Sequence, residues 1–121
     1  MEFYVTDANA ITYGQCLKFN AGKLIKAATT DVVAGVANHD VAAGTNQKCK
    51  ILLVDPEQLW EADYTGEPIS TFIVGCADAV LDGDGRNLNA AATGGGGPCS
   101  IIKINAAAKK AWVKFKKRQL T

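Results

Sequence analysis

The chain has 121 residues, 48% of them hydrophobic, with twelve Asp or Glu, thirteen Lys or Arg and a formal net charge of +1. That length suits one domain able to bury its own core, and no apolar run approaches the ~20 residues that a membrane-spanning helix needs. Near-neutral charge argues against a protein built chiefly to bind a phosphate backbone.

The first segment, MEFYVTDANA, has an acid at position 2 and no cationic stretch leading into an apolar one. No cleaved secretory signal is predicted. The segment reads as a short flexible N-terminal arm on a single β-rich domain spanning 1–121. GQCLKF and LIKAA, joined by NAGK, read as a hairpin in which Asn20, Ala21 and Gly22 tolerate the positive φ of a tight loop. VVAGVA, the connection NHDVAAGTNQ and KCKILLV read as a second strand–loop–strand. In KCKILLV, Cys49, Ile51 and Leu53 share one face, and Lys48, Lys50, Leu52 and Val54 the other. VDPEQ turns, because proline lacks an N–H and biases Asp55 toward extended backbone.

Beyond it LWEADY alternates weakly, TGEP turns, and the β-branched STFIVG is predicted to be a strong strand. Asp82 to Pro98 reads as a glycine-rich surface loop, with Gly94–Gly97 a flexible connection that tolerates shortening. CSIIKI and AWVKFKKRQL complete the set, separated by a polar turn at NAAAKK. In the last strand Val113 and Phe115 share one face, and Trp112, Lys114 and Lys116 the other. The predicted fold is all-β, a small β-barrel or sandwich of about seven or eight short strands with at most one or two short helical turns.

Chemistry is sparse. Cys16, Cys49, Cys76 and Cys99 lack the close pairing of a zinc site, and their apolar surroundings predict free thiols packed as small hydrophobes in a reducing compartment. Neither calcium-loop frame through DAVLDGDGRNLN fits: the frame from Asp78 has Val80 at its third position, and the frame from Asp82 has Asn87 where glycine is required. A looser cation site at Asp82 and Asp84 stays open. ATGGGGPCS lacks the lysine of a phosphate-binding loop, and Pro98 removes an amide. His39 is the only histidine and reads as a solvated loop residue. No enzyme, cofactor or metal is predicted.

Charge is uneven along the chain: all twelve acids lie within residues 1–85, whereas 86–121 holds eight cations and no acid. Such a split can give one molecule two faces of opposite sign, or pair inside the fold. A contact combining charge with aromatic anchors would use Trp112 with Lys114, Lys116 and Lys117, or Phe3 and Tyr4 on the arm. The interleaved KKAWVKFKKRQ also suits nucleic acid, although a solvated outer strand face is the plainer reading.

Taken in order, YGQCLKFNAGKLIKAATTDVVAGVANHDVAAG, KILLVDPEQLWEADYTGE, FIVGCADAVLDGDGRNLNAAATGGGG and CSIIKINAAAKKAWVKFKKRQL cover most of the chain. In this succession the chain resembles small structural proteins of tailed bacteriophages, particularly capsid decoration (cement) proteins and related head-associated β-barrels. The resemblance implies a non-enzymatic protein that binds the outside of a phage capsid and stabilises the shell by bridging its subunits. Its partner would be the major capsid protein, with self-association into a small oligomer and no membrane. It would be made in the host cytoplasm and reside on the virion exterior. Two other readings are a tail or neck component and a nucleic-acid-binding β-barrel that uses the basic C-terminal segment.

Overall fold

The computed structural model describes residues 1–55, 57–116 and 119. These form ten strands and no helix: β1 (Glu2–Tyr4), β2 (Cys16–Asn20), β3 (Lys23–Lys26), β4 (Gly35–Ala37), β5 (Lys48–Leu53), β6 (Trp60–Thr65), β7 (Ala79–Leu81), β8 (Leu88–Thr93), β9 (Cys99–Asn105) and β10 (Lys110–Phe115). The all-β expectation holds, with more strands than the seven or eight predicted.

The first half makes a five-stranded sheet in the order β1-β5-β4-β2-β3. Its β2–β3 hairpin closes through Ala21 (φ 52°) and Gly22 (φ 82°), the positive pair that matches the twist of the flanking strands. A parallel bridge from Val5 to Leu24 joins the end of β1 to β3, so the sheet curls around Val5, Leu17, Leu24, Cys49 and Ile51. In β5 the predicted alternation appears, with Cys49 and Ile51 buried and Lys48, Lys50 and Leu52 exposed. Residues 2–4, expected as an arm, are edge strand β1, in register with Lys48–Lys50.

The second half is a closed barrel in the order β10-β6-β8-β7-β9. A five-stranded barrel is narrow, so its lumen admits few large side chains. Ala79, Ala90 and Ala111 are fully buried there beside Leu88, Ile101, Val113 and Phe115. That need for small interior residues explains why the alanine-rich LNAAAT, a poor strand former by propensity, becomes β8. The region read as a loop from Asp82 to Pro98 therefore contains a strand and its hairpin turn, with Leu81 opposite Leu88.

STFIVG is corrected in the other direction. Residues 70–78 form successive turns and no strand. The neighbouring strands already have barrel partners, so the segment crosses the barrel end and is pinned by Phe72, whose ring lies 5.0 Å from that of Tyr64. The Ile69 N–H donates to the Ala90 carbonyl and the Gly75 N–H to the Ile101 carbonyl. Closure outweighs β-branched propensity here.

Sheet and barrel meet at the β7–β8 turn. Buried Gln15 accepts from the Thr12 N–H and donates through Nε2 to the Asp84 carbonyl at 2.6 Å. The Cys16 N–H donates to the Gly85 carbonyl, and the Leu81 N–H to the Thr29 carbonyl. Gly85 (φ 76°) sits so close to the Ala27 carbonyl that a Cβ would strike it, and the Cys16 carbonyl would be crowded as well. At the other end of β7, Gly97 is likewise tight against the Asp78 and Ala79 carbonyls, and Gly97 and Pro98 are buried. The glycine run is a fitted connection packed on β7, in place of the exposed flexible loop expected.

Candidate functional site

The outer barrel face across β6, β10 and β9 gathers most of the exposed chemistry. Alternation along β10 turns Ala111, Val113 and Phe115 inward and leaves Lys110, Trp112 and Lys114 half-buried on the outside. Antiparallel register sets Trp112 opposite Glu61 on one side and Lys103 on the other, and Lys114 opposite Ser100. The Lys103 ammonium lies 5.2 Å from the centre of the Trp112 ring, a cation–π distance. Between Trp112 and Val113 the register shifts so that Ile102 is the extra residue on β9. The bulge leaves Ile102 and Lys103 both exposed.

The charge split along the sequence is partly neutralised here. Lys110 Nζ lies 2.8 Å from Asp63 Oδ1 and 3.3 Å from Glu61 Oε1. The Asp63 hydrogen bond first, and the one to Glu61 next, raise the Lys110 pKa above its ordinary value. Among the C-terminal cations, Lys110 thus pairs with the acidic part of the chain. Within that acidic part, Lys18 lies 2.9 Å from Asp31 and Lys23 lies 3.8 Å from Asp7.

The predicted interface residues divide between two places. Phe3 packs edge-on against Phe19 at 4.9 Å, on the core side of the first sheet. Tyr4 is exposed, with the Lys48 ammonium 5.0 Å from its ring. Trp112 and Lys114 lie together on the barrel face, followed by exposed Lys116, whose N–H donates to the Pro98 carbonyl. Lys117 lies outside the described residues. Lys103 was absent from the sequence-derived set. Its signal is the turn at residues 106–109, which fixes Asn105 opposite Lys110 and hence Lys103 opposite Trp112.

The remaining polar candidates have structural partners. Asp82 Oδ1 accepts from the N–H groups of Asp84 (3.0 Å) and Gly85 (2.8 Å) and so caps the hairpin turn. Among the described residues, no three of His, Cys, Asp and Glu gather as a metal-binding group. His39, expected to be solvated, accepts the Lys50 N–H at Nε2 and places Nδ1 3.0 Å from the Asp40 carbonyl, an arrangement that suits the Nδ1–H tautomer. It fastens the long connection to β5. All four cysteines are buried free thiols. Burial, with the Asp82 carboxylate adding to it, pushes the Cys16 thiol up to about 12. Burial, then the neighbouring Cys16, raises Cys99 as well. Such thiols stay protonated and unreactive at neutral pH.

No model of a known protein family matches this chain, and no curated protein matches it.

Proposed function

We propose that the chain is a non-enzymatic structural protein of a bacteriophage virion, one that binds the outside of the capsid and stabilises the shell by bridging its subunits. The succession of sequence phrases described above supports the phage assignment. The observation that carries the binding role is the half-exposed Trp112, held on a rigid strand with the Lys103 ammonium over its ring and Lys114 on the same face. Aromatic anchors such as tryptophan dominate binding energy at protein interfaces, and charged neighbours orient the docking. Exposed Ile102, beside Lys103 at the bulge, extends the contact with apolar surface. The bridged capsid subunits would present acidic surface to Lys103 and Lys114, which orients docking more than it tightens it.

The nucleic-acid reading uses the same residues. It is weakened by the formal net charge of only +1, since binding to a phosphate backbone draws on a net basic protein.

The test is co-sedimentation of the purified protein with empty phage shells, with double-stranded DNA as a parallel ligand. Trp112→Ala should reduce shell binding by at least tenfold, and Lys103→Glu with Lys114→Glu by a salt-dependent factor, with the fold retained. Undiminished shell binding by both variants would defeat the proposed face. Binding to DNA that falls steeply with salt, without binding to shells, would replace the proposal with the nucleic-acid reading.

A further inference from the structure

We infer that the barrel has a second binding site, a half-open strand edge on β6 that accepts an extended peptide carrying one bulky apolar side chain and a nearby carboxylate. Two independent features meet there.

The first is backbone register. Asp63 stands opposite Lys110 and the Tyr64 N–H donates to the Lys109 carbonyl. In an antiparallel ladder, hydrogen-bonded and non-bonded positions alternate. Trp60, Ala62 and Tyr64 therefore direct their N–H and C=O groups to β10, whereas Glu61 and Asp63 direct theirs to the opposite edge. On that edge β8 pairs only at Tyr64–Leu88 and Thr65–Asn89. Among the described residues, the N–H and C=O of Glu61 and the N–H of Asp63 are left without a strand partner. Open edges of this kind are the template for strand addition.

The second feature is a cavity of about 370 Å³ beside the same stretch. Trp60 to Asp63 form one wall, Val36 and Leu52 of the first sheet face them, and Leu81, Leu88 and Phe115 line the apolar depth. Trp60 and Phe115 meet edge-on at 5.9 Å and stiffen that wall. For scale, a cavity of about 150 Å³ takes a benzene ring. A strand laid along β6, in line with the start of β8, would send alternate side chains inward, and one large apolar side chain fits.

Charge selects the peptide. Glu61 and Asp63 are both engaged by Lys110, whereas Arg86, exposed on the lining of the cavity, makes no ion pair among the described residues. A carboxylate within two residues of the apolar side chain would meet the guanidinium, a strong pairing when geometry permits two hydrogen bonds. The inference does not depend on the capsid reading, because it uses the open backbone edge of β6 and the adjacent cavity instead of Trp112, Lys103 and Lys114, and names its ligand by chemistry alone.

The probe is an array of blocked, threonine-based octapeptides. One position varies among Phe, Leu, Thr and Lys, and the position two along varies among Glu, Thr and Lys. Binding to the full chain is followed by fluorescence anisotropy and by amide hydrogen exchange. The Phe/Glu and Leu/Glu members should bind best and slow exchange of the Glu61 and Asp63 amides by at least tenfold. Glu61→Pro removes the edge N–H without touching the β10 ladder, and should weaken binding at least tenfold, whereas Glu61→Ala should not. Val36→Trp, which fills the cavity from the other sheet, provides an independent variant with the same expected loss, and Arg86→Glu should shift preference to the Lys-bearing members. Three results would overturn the inference: no array member binds, Glu61→Pro and Val36→Trp both leave binding unchanged, or sedimentation shows that this edge pairs only with a second copy of the chain.

Discussion

Gly83 and Gly85 sit two residues apart in the β7–β8 turn and have opposite tolerances. Gly85 combines a positive φ with a carbonyl where a Cβ would stand, whereas a Cβ on Gly83 meets nothing. Gly85→Ala should therefore cost about 3 kcal/mol or more, from left-handed strain of roughly 1–2 kcal/mol plus displacement of the joint between sheet and barrel. Gly83→Ala should stay within about 0.5 kcal/mol. Urea unfolding of both variants measures the contrast, and equal effects would mean that the turn is not clamped. His39 makes the same point for side chains: a residue that looks solvated in sequence satisfies a backbone amide of β5.

At the scale of elements, the Gly94–Gly97 run shows how a flexible composition can encode a fixed path. Gly94, Gly95 and Gly96 all have positive φ, the Gly94 N–H donates to the Asp78 carbonyl, and the Gly97 N–H donates to the Gly94 carbonyl. Deleting Gly95 and Gly96 should destabilise by about 2–4 kcal/mol, because it draws Gly97 from its slot on β7 and strains the start of β9. Loop-closure entropy alone would change by less than about 1 kcal/mol. Gly95→Asn serves as the tolerant control, since asparagine accepts the left-handed region and the position is exposed. A deletion as mild as the control would restore the reading of a slack loop. The neighbouring β9–β10 hairpin differs in kind, because its bulge at Ile102 places side chains on the outer face.

For the whole molecule, the four buried thiols give a pH dependence whose sign follows from linkage. Unfolded, a thiol loses its proton near the ordinary value of 9.0, whereas folded Cys16 holds it to about 12. The folded chain then binds more protons than the unfolded one, so this contribution is intact below pH 9.0 and is lost as pH rises toward about 12. Each such thiol adds a slope of about 1.4 kcal/mol per pH unit in that window. Cys99 shifts in the same direction, so stability should fall steeply in alkali. Cys16→Ala, though less stable at neutral pH, should show a shallower fall across the window. A slope unchanged by the substitution would assign the alkaline loss to other groups.

Much of this was legible from short stretches alone. The β2–β3 turn at Ala21 and Gly22, the alternation of β5 and β10 and the turn at residues 106–109 each depend on local φ/ψ preference or on a period of two, which a few neighbouring residues encode. The half-exposed Trp112 and Lys114 of the candidate face were legible for the same reason. The loss of STFIVG as a strand, the gain of LNAAAT and the pairing of Lys103 with Trp112 were decided by tertiary structure. A strand's partner is chosen by closure of the barrel over long sequence distances, and a narrow lumen prefers alanine where propensity prefers isoleucine. The sequence by itself determined where the chain turns and which side chains share a face. Only barrel closure decided which strands form and which backbone edge, on β6, is left open.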